Sequence, residues 1–144
     1  MGRKTLENLP GWATALFARS RVAHLGLLDG DGRPRVMPVT FAVHAESVWT
    51  VVDSKPKRPG EPARVRWLRA RPAAALTVDR YDDDWTRLAW VQVLGAVEVL
   101  ELAEAPDAVA ALAAKYPQYR EEAPPGPLLQ LVPHRALCWA AAPG

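Results

Sequence analysis

Arg87-Leu88-Ala89-Trp90-Val91-Gln92-Val93-Leu94-Gly95-Ala96-Val97-Glu98-Val99-Leu100-Glu101 places an apolar or small residue at every second position over 15 residues. A period of two is the signature of a β-strand with one buried face. At about 3.3 Å per residue this strand would run roughly 50 Å, too long to stay flat in a small domain. Gly95, with no side chain to obstruct a neighbouring backbone, is the predicted bend or bulge.

Working outward, Ala74 to Tyr81 reads as the preceding strand, and Asp82-Asp83-Asp84 as the turn between the two. Downstream, Ala105 to Tyr116 is an Ala-rich helix ended by Pro117, Pro124-Pro125-Gly126-Pro127 is a loop, and Leu128 to Trp139 is a last strand. Towards the N-terminus the pattern predicts a three-stranded meander. Its strands are Val22 to Leu28, Arg35 to Val43 and Val48 to Asp53, with turns at Asp29-Gly30-Asp31-Gly32 and Ala45-Glu46. In the second of these strands Met37, Val39, Phe41 and Val43 share one face.

Two helices complete the reading. Residues 5–18 carry Leu6, Leu9, Ala13, Leu16 and Phe17 at helical spacing, with Thr5 as the predicted N-cap. Pro62 to Ala70 is a short helix, with Pro62 in its first turn and Pro72 as its stop. Six strands with peripheral helices predict a mainly β fold, a closed barrel formed as one domain over residues 1–144.

The composition sets bounds on function. A chain of 144 residues buries roughly 68–70% of its unfolded surface, enough for a core without disulfides or metals. Cys138 is the only cysteine, and three scattered histidines (His24, His44, His134) give no metal-ligand spacing. No apolar run approaches 18 residues, and Met1 to Pro10 lacks an apolar signal core, so no membrane role and a cytoplasmic location are expected. Neither a nucleophile elbow, a P-loop nor a dinucleotide-binding glycine fingerprint is present.

The charge is lopsided. Between Ser54 and Pro72 seven basic residues face the single acid Glu61, giving the segment +6 in a chain of net charge +2. Ser54-Lys55-Pro56-Lys57-Arg58 falls where a strand ends and a helix begins. Free backbone N–H groups and positive charge there suit phosphate, and arginine can clamp it with paired hydrogen bonds. A solvated basic loop would have the same composition. So would a nucleic-acid surface with Trp67 for stacking. Pro38, inside an alternating strand, marks an edge, a bulge or a ligand wall. Of six tryptophans, Trp49, Trp90 and Trp139 fall in strands, whereas Trp85 follows the acidic turn and could cover an aromatic ligand.

These motifs together resemble a known family. Asp-Gly-Arg-Pro at 31–34, Pro-Val-Thr-Phe at 38–41 and Val-Asp-Ser-Lys-Pro-Lys-Arg at 52–58 come first. Leu-Arg-Ala-Arg-Pro at 68–72, Val-Asp-Arg-Tyr-Asp-Asp-Asp-Trp at 78–85 and Lys-Tyr-Pro-Gln-Tyr at 115–119 follow. Over roughly residues 10–140 the chain resembles the pyridoxamine-phosphate-oxidase-like, F420-dependent proteins of actinobacteria. The resemblance implies a six-stranded split β-barrel of the FMN-binding type and a homodimer with two cofactor sites at its interface. It implies that Pro38-Val39-Thr40 runs along a flavin or deazaflavin ring and that Lys55, Lys57 and Arg58 hold phosphate. The candidate cofactor-binding set is therefore Pro38, Val39, Thr40, Asp53, Ser54, Lys55, Lys57, Arg58, Arg64, Trp85 and Trp90.

The implied activity is hydride transfer between coenzyme F420 and a small organic substrate. Alternatives are an FMN-dependent oxidase or flavin reductase, and a non-catalytic carrier; nucleic acid is not an expected partner. Gln92 stands where pyridoxamine-phosphate oxidases carry arginine, which argues against that activity. Pro59-Gly60-Glu61-Pro62 also departs from the family pattern. No side chain declares itself a proton donor, and Tyr81 is the one candidate.

Overall fold

The structure, a computed structural model, describes residues 5–53 and 59–142. Its strands are β1 (Ala23–Leu28), β2 (Pro34–Val39), β3 (Ala42–His44), β4 (Ser47–Val51), β5 (Ala73–Arg80), β6 (Ala89–Leu100) and β7 (Leu128–Ala140). Its helices are α1 (Gly11–Arg19), α2 (Ala63–Ala70), α3 (Pro106–Lys115) and the single-turn α4 (Gln118–Glu121). The strands form one antiparallel sheet in the order β2-β1-β5-β6-β7-β4-β3. The strands at its two ends, β2 and β3, are consecutive in the chain and separated only by Thr40 and Phe41. A sheet whose opposite edges are joined by two residues has to curl on itself.

That crossing corrects the expectation of one strand from Arg35 to Val43. β2 pairs with β1, whereas β3 pairs with β4, so the segment changes partners half-way. The Phe41 N–H is taken by the Tyr116 hydroxyl at 3.2 Å instead of by a neighbouring strand.

The long strand is bent as its glycine predicted. The β6–β7 ladder slips between Leu94 and Gly95: Leu94 faces Arg135 and Gly95 faces Pro133, leaving His134 as the extra residue of a bulge. Gly95 is required there, because a Cβ at this position would lie 2.1 Å from the carbonyl oxygen of Val132.

The N-terminal helix is shorter than predicted. Residues Leu6–Asn8 make only a 3-10 turn, and α1 begins after Pro10. Proline disfavours helical geometry in the residue before it, and Leu9 is extended (φ −70°, ψ 145°). Thr5 does not cap a helix, and its hydroxyl is buried without a hydrogen-bond partner.

Two apolar clusters hold these elements. The larger includes Leu25, Phe41, Leu68, Leu76, Val78, Val91, Val93 and Leu129, with Leu16 and Phe17 brought in by α1. Phe17 meets Phe41 edge-to-face, with ring centroids 5.2 Å apart. The smaller cluster packs α3, through Ala108, Leu112 and Tyr116, against Ala42, Trp49, Val51 and Leu128. Phe41 faces the first cluster and Ala42 the second, so the crossing is wedged between them.

Gly95→Ala should lower the unfolding free energy by about 3 kcal/mol, measured by urea denaturation. Gly26→Ala is the control. Its Cβ would meet the Ala75 carbonyl at an ordinary 3.7 Å, and it should be neutral or slightly stabilising, by about 0.5–1 kcal/mol.

Candidate functional site

Where β2 leaves the sheet, an open cavity of about 360 Å³ forms beside the crossing. This lies within the roughly 300–1,000 Å³ range typical of small-molecule pockets. Met37, Pro38, Val39 and Thr40 form one wall; Thr50, Val51 and Asp53 come from β4 and the residues after it. Arg64 reaches in from the first turn of α2, and Val22 and Leu129 complete the apolar lining. β2 is an end strand of the sheet. In an antiparallel ladder alternate residues direct their backbone groups away from the partner, so part of this edge has N–H and C=O groups to offer a ligand. Apolar walls with a polar strand edge and one arginine suit a flat heteroaromatic ring bearing an anionic tail.

Of the sequence-derived candidates, Pro38, Val39, Thr40, Asp53 and Arg64 are brought together around this cavity. Ser54, Lys55, Lys57 and Arg58 lie outside the described residues. Trp85 and Trp90 do not line the cavity of their own chain. Trp85 is exposed on a 3-10 turn, and Trp90 stands opposite Trp139 on the outward face of the β6–β7 ladder. Tyr81 is 67% exposed and borders a different cavity, with Arg19, Arg80 and Arg87. The acidic turn is tied to itself: Asp82 accepts from the Asp84 N–H, Asp84 accepts from Thr86, and Arg87 pairs with Asp82 at 3.0 Å.

The basic segment divides into two sets. Arg69 forms a bidentate pair with Glu61, with a closest approach of 2.6 Å, and Arg66 donates to the Glu61 carbonyl. Arg71 donates to the carbonyls of Asp29 and Gly30, both at 3.1 Å, bracing the first hairpin turn. These three arginines are structural. Arg64, among the described residues, forms no ion pair and faces the cavity.

The Lys115-Tyr116-Pro117-Gln118-Tyr119 motif, whose role is silent in the sequence, gains one in the structure. Pro117 lets the chain turn from α3 directly into α4, so both tyrosines reach back to the crossing. The Tyr116 hydroxyl accepts from the Phe41 N–H and donates to the Arg21 carbonyl at 2.8 Å. The Tyr119 hydroxyl lies 2.6 Å from Thr40 Oγ1 and donates to Asp53 Oδ2 at 2.9 Å. Burial, helped by the Asp53 carboxylate and opposed by Thr40, pushes the Tyr119 phenol up to about 12.

Lys115 Nζ sits 3.7 Å from the centre of the Phe41 ring, and the Arg21 guanidinium 4.8 Å from that of Tyr116. Burial, and secondarily the Arg21 charge, bring the Lys115 ammonium down to about 8. Among the described residues no group of three or more His, Cys, Asp or Glu could hold a metal ion, and no helix is long and apolar enough to cross a membrane.

The pyridoxamine 5'-phosphate oxidase family model matches residues 11–140. The chain belongs to this family. No curated protein matches the sequence. Among solved structures, the conserved hypothetical protein Rv2991 from Mycobacterium tuberculosis is 20% identical with a TM-score of 0.74, covering 92% of this chain and 86% of that one. A protein named F420 reductase is 21% identical with a TM-score of 0.64, covering 90% and 98%. A heme-binding protein from Mycobacterium smegmatis is 18% identical with a TM-score of 0.67, covering 90% and 56%. At these identities the likeness establishes the fold, and function rests on the site.

Lys115 yields a pH prediction. Its folded value of about 8 lies below the usual 10.5, so the charged form is disfavoured in the fold. That penalty is fully present below pH 8 and disappears as pH rises towards 10.5, where the unfolded chain also loses its proton. Lys115→Met should therefore gain most over wild type near pH 7, and the gap should close towards pH 10 in paired urea titrations.

Proposed function

We propose that the chain is an F420-dependent oxidoreductase that transfers a hydride to or from a small organic substrate. In this reading the deazaflavin ring lies in the cavity against Pro38-Val39-Thr40. Its phosphate and acidic tail are held by Arg64 together with Lys55, Lys57 and Arg58. The observation that carries it is the division of the basic segment. Arg66, Arg69 and Arg71 are engaged in the fold, while Arg64 faces the cavity beside Asp53, the residue from which the Ser54–Arg58 segment departs.

When bound, the cofactor supplies two-electron hydride chemistry; the protein binds it, orients it and limits the access of water. The cavity is open along one side, and a second copy of the chain is the proposed cover. Val36 is 70% exposed on β2, and Trp90 and Trp139 form an exposed cross-strand pair. Exposed apolar side chains of this size suit a homodimer interface.

FMN in the same cavity, serving an oxidase or flavin reductase, is the second reading; its single phosphate needs fewer cations. A carrier that binds either cofactor without turnover is the third. Heme is disfavoured by the lining. Heme iron takes an axial His, Cys, Met or Tyr, and among the described residues lining the cavity Met37 is the only such residue.

Titration with F420 should show micromolar or tighter binding, exceeding that of FMN. Arg64→Ala and Lys57→Ala should each weaken F420 binding by about tenfold, with the urea midpoint unchanged. Preference for FMN would move the protein to the flavin branch, and binding of neither would overturn the cofactor assignment. For the assembly, Trp90→Glu with Trp139→Glu should convert a dimer to a monomer in light scattering; a wild-type monomer at high concentration would sink the interface.

A further inference from the structure

The Thr40–Tyr119–Asp53 chain of hydrogen bonds has a direction. An ionised carboxylate only accepts hydrogen bonds, and a phenol has one proton to give. With Tyr119 donating to Asp53 Oδ2 at 2.9 Å, its oxygen can meet Thr40 Oγ1, at 2.6 Å, only as an acceptor. Thr40 must then be the donor in that pair. Its own proton is committed to Tyr119, and lone pairs are all its hydroxyl has left.

Thr40 lines the cavity, whereas Tyr119, the middle member of the chain of bonds, lines a second cavity with Gln118, Glu122 and Pro124. Asp53 borders both cavities. The Asp53 carboxylate and the free Thr40 acceptor are the two ends of the chain of bonds, and both border the first cavity. Hydrogen bonds aligned in this way polarise one another, strengthening the terminal acceptor. Burial keeps the Tyr119 phenol protonated through the neutral range, so the direction persists there.

We infer that Tyr119 and Asp53 are positioning residues that turn Thr40 into an obligate hydrogen-bond acceptor, so that the cavity selects a ring edge presenting an N–H donor. Resting on the cofactor reading above, the donor is the imide N–H that F420 and FMN share, flanked by two carbonyls. A threonine free to rotate would tolerate donor or acceptor, and the lock removes that tolerance. A ring methylated at the imide nitrogen brings no proton and leaves the Thr40 oxygen unpaired.

The test compares FMN with its N3-methyl derivative by flavin fluorescence, on wild type and Tyr119→Phe. Methylation should weaken binding to wild type by about tenfold. The ratio should fall towards one in Tyr119→Phe, where Thr40 regains its rotation. Equal binding of the two flavins by wild type, or an undiminished ratio in the variant, would overturn the inference.

A ligand-free measurement separates it from the cofactor reading. With a fluorotyrosine at position 119 followed by fluorine NMR, Thr40→Val should raise the phenol ionisation further, because a donor to the phenolate is lost. Asp53→Asn should lower it, because a negative charge is lost. A fall or no change with Thr40→Val would show that Thr40 is not the donor. If the titrations behave as stated but neither FMN nor F420 binds wild type, the imide assignment falls with the cofactor reading, while the direction of the hydrogen bonds stands.

Discussion

The two residues between β2 and β3 impose the constraint on which the rest of the structure depends. Thr40 and Phe41 carry the chain from one edge of the sheet to the other, so neither can rely on a continuous ladder for its polar groups. A buried backbone N–H left unpaired costs about 1–3 kcal/mol, and the Phe41 N–H is buried. The α3–α4 corner meets this demand by presenting two tyrosine hydroxyls, one to the Phe41 amide and one to the Thr40 side chain. The Phe41 ring meanwhile enters the main core, where Phe17 meets it edge-to-face. Closure of the barrel, docking of the C-terminal helices and the shape of the cavity are thus consequences of one crossing.

That arrangement also explains the unusual setting of Lys115. The last turn of α3 has to approach the crossing closely enough for Tyr116 to reach Phe41, which drives the Lys115 ammonium onto the Phe41 ring. Arg21 lies over Tyr116 from the other side and donates to the Lys115 carbonyl. An exposed Arg21 and a half-buried Lys115 end up close together, with aromatic faces as their partners. Cation–π attraction offsets part of the desolvation, while burial and the nearby Arg21 charge hold the Lys115 ammonium below its usual value. Placing tyrosines at the crossing therefore strains the charge state of their neighbour.

Much of this was legible in the chain because it follows from local rules. A period of two and one glycine predict a 15-residue strand over 87–101 with a bend or bulge at Gly95, and β6 fills 12 of those positions with a bulge there; the start of α2 came from Pro62 and the end of α3 from Pro117. The division of residues 35–43 into two strands was not legible. In the sequence the alternation of Met37, Val39, Phe41 and Val43 continues straight through the crossing, but the buried phase does not: Val39 and Phe41 pack in the larger cluster, whereas β3 buries Ala42 and leaves Val43 exposed. Both the partner strand and the buried face change there, and those are long-range facts. The helix over 5–18 failed for a local reason that was visible: Pro10 forbids the helix through Leu9. For the site, Pro38 to Thr40, Asp53 and Arg64 emerged from the sequence. The tyrosines stayed silent because their partners lie 66 to 95 residues away.

The basic segment shows how composition alone misleads about a binding site. Seven cations against one acid read as a single anion-binding block, yet three of the arginines serve the scaffold. Arg69 and Arg66 gather around Glu61, and Arg71 ties the end of α2 to the first hairpin turn. Arg64 lines the cavity, and the proposed function assigns it to the ligand together with Lys55, Lys57 and Arg58, which lie outside the described residues. Four cations still exceed what one phosphate of charge about −2 requires. They match a phosphodiester followed by several carboxylates more closely, and that surplus, rather than the raw count of seven, is the physical argument for the longer, more acidic cofactor.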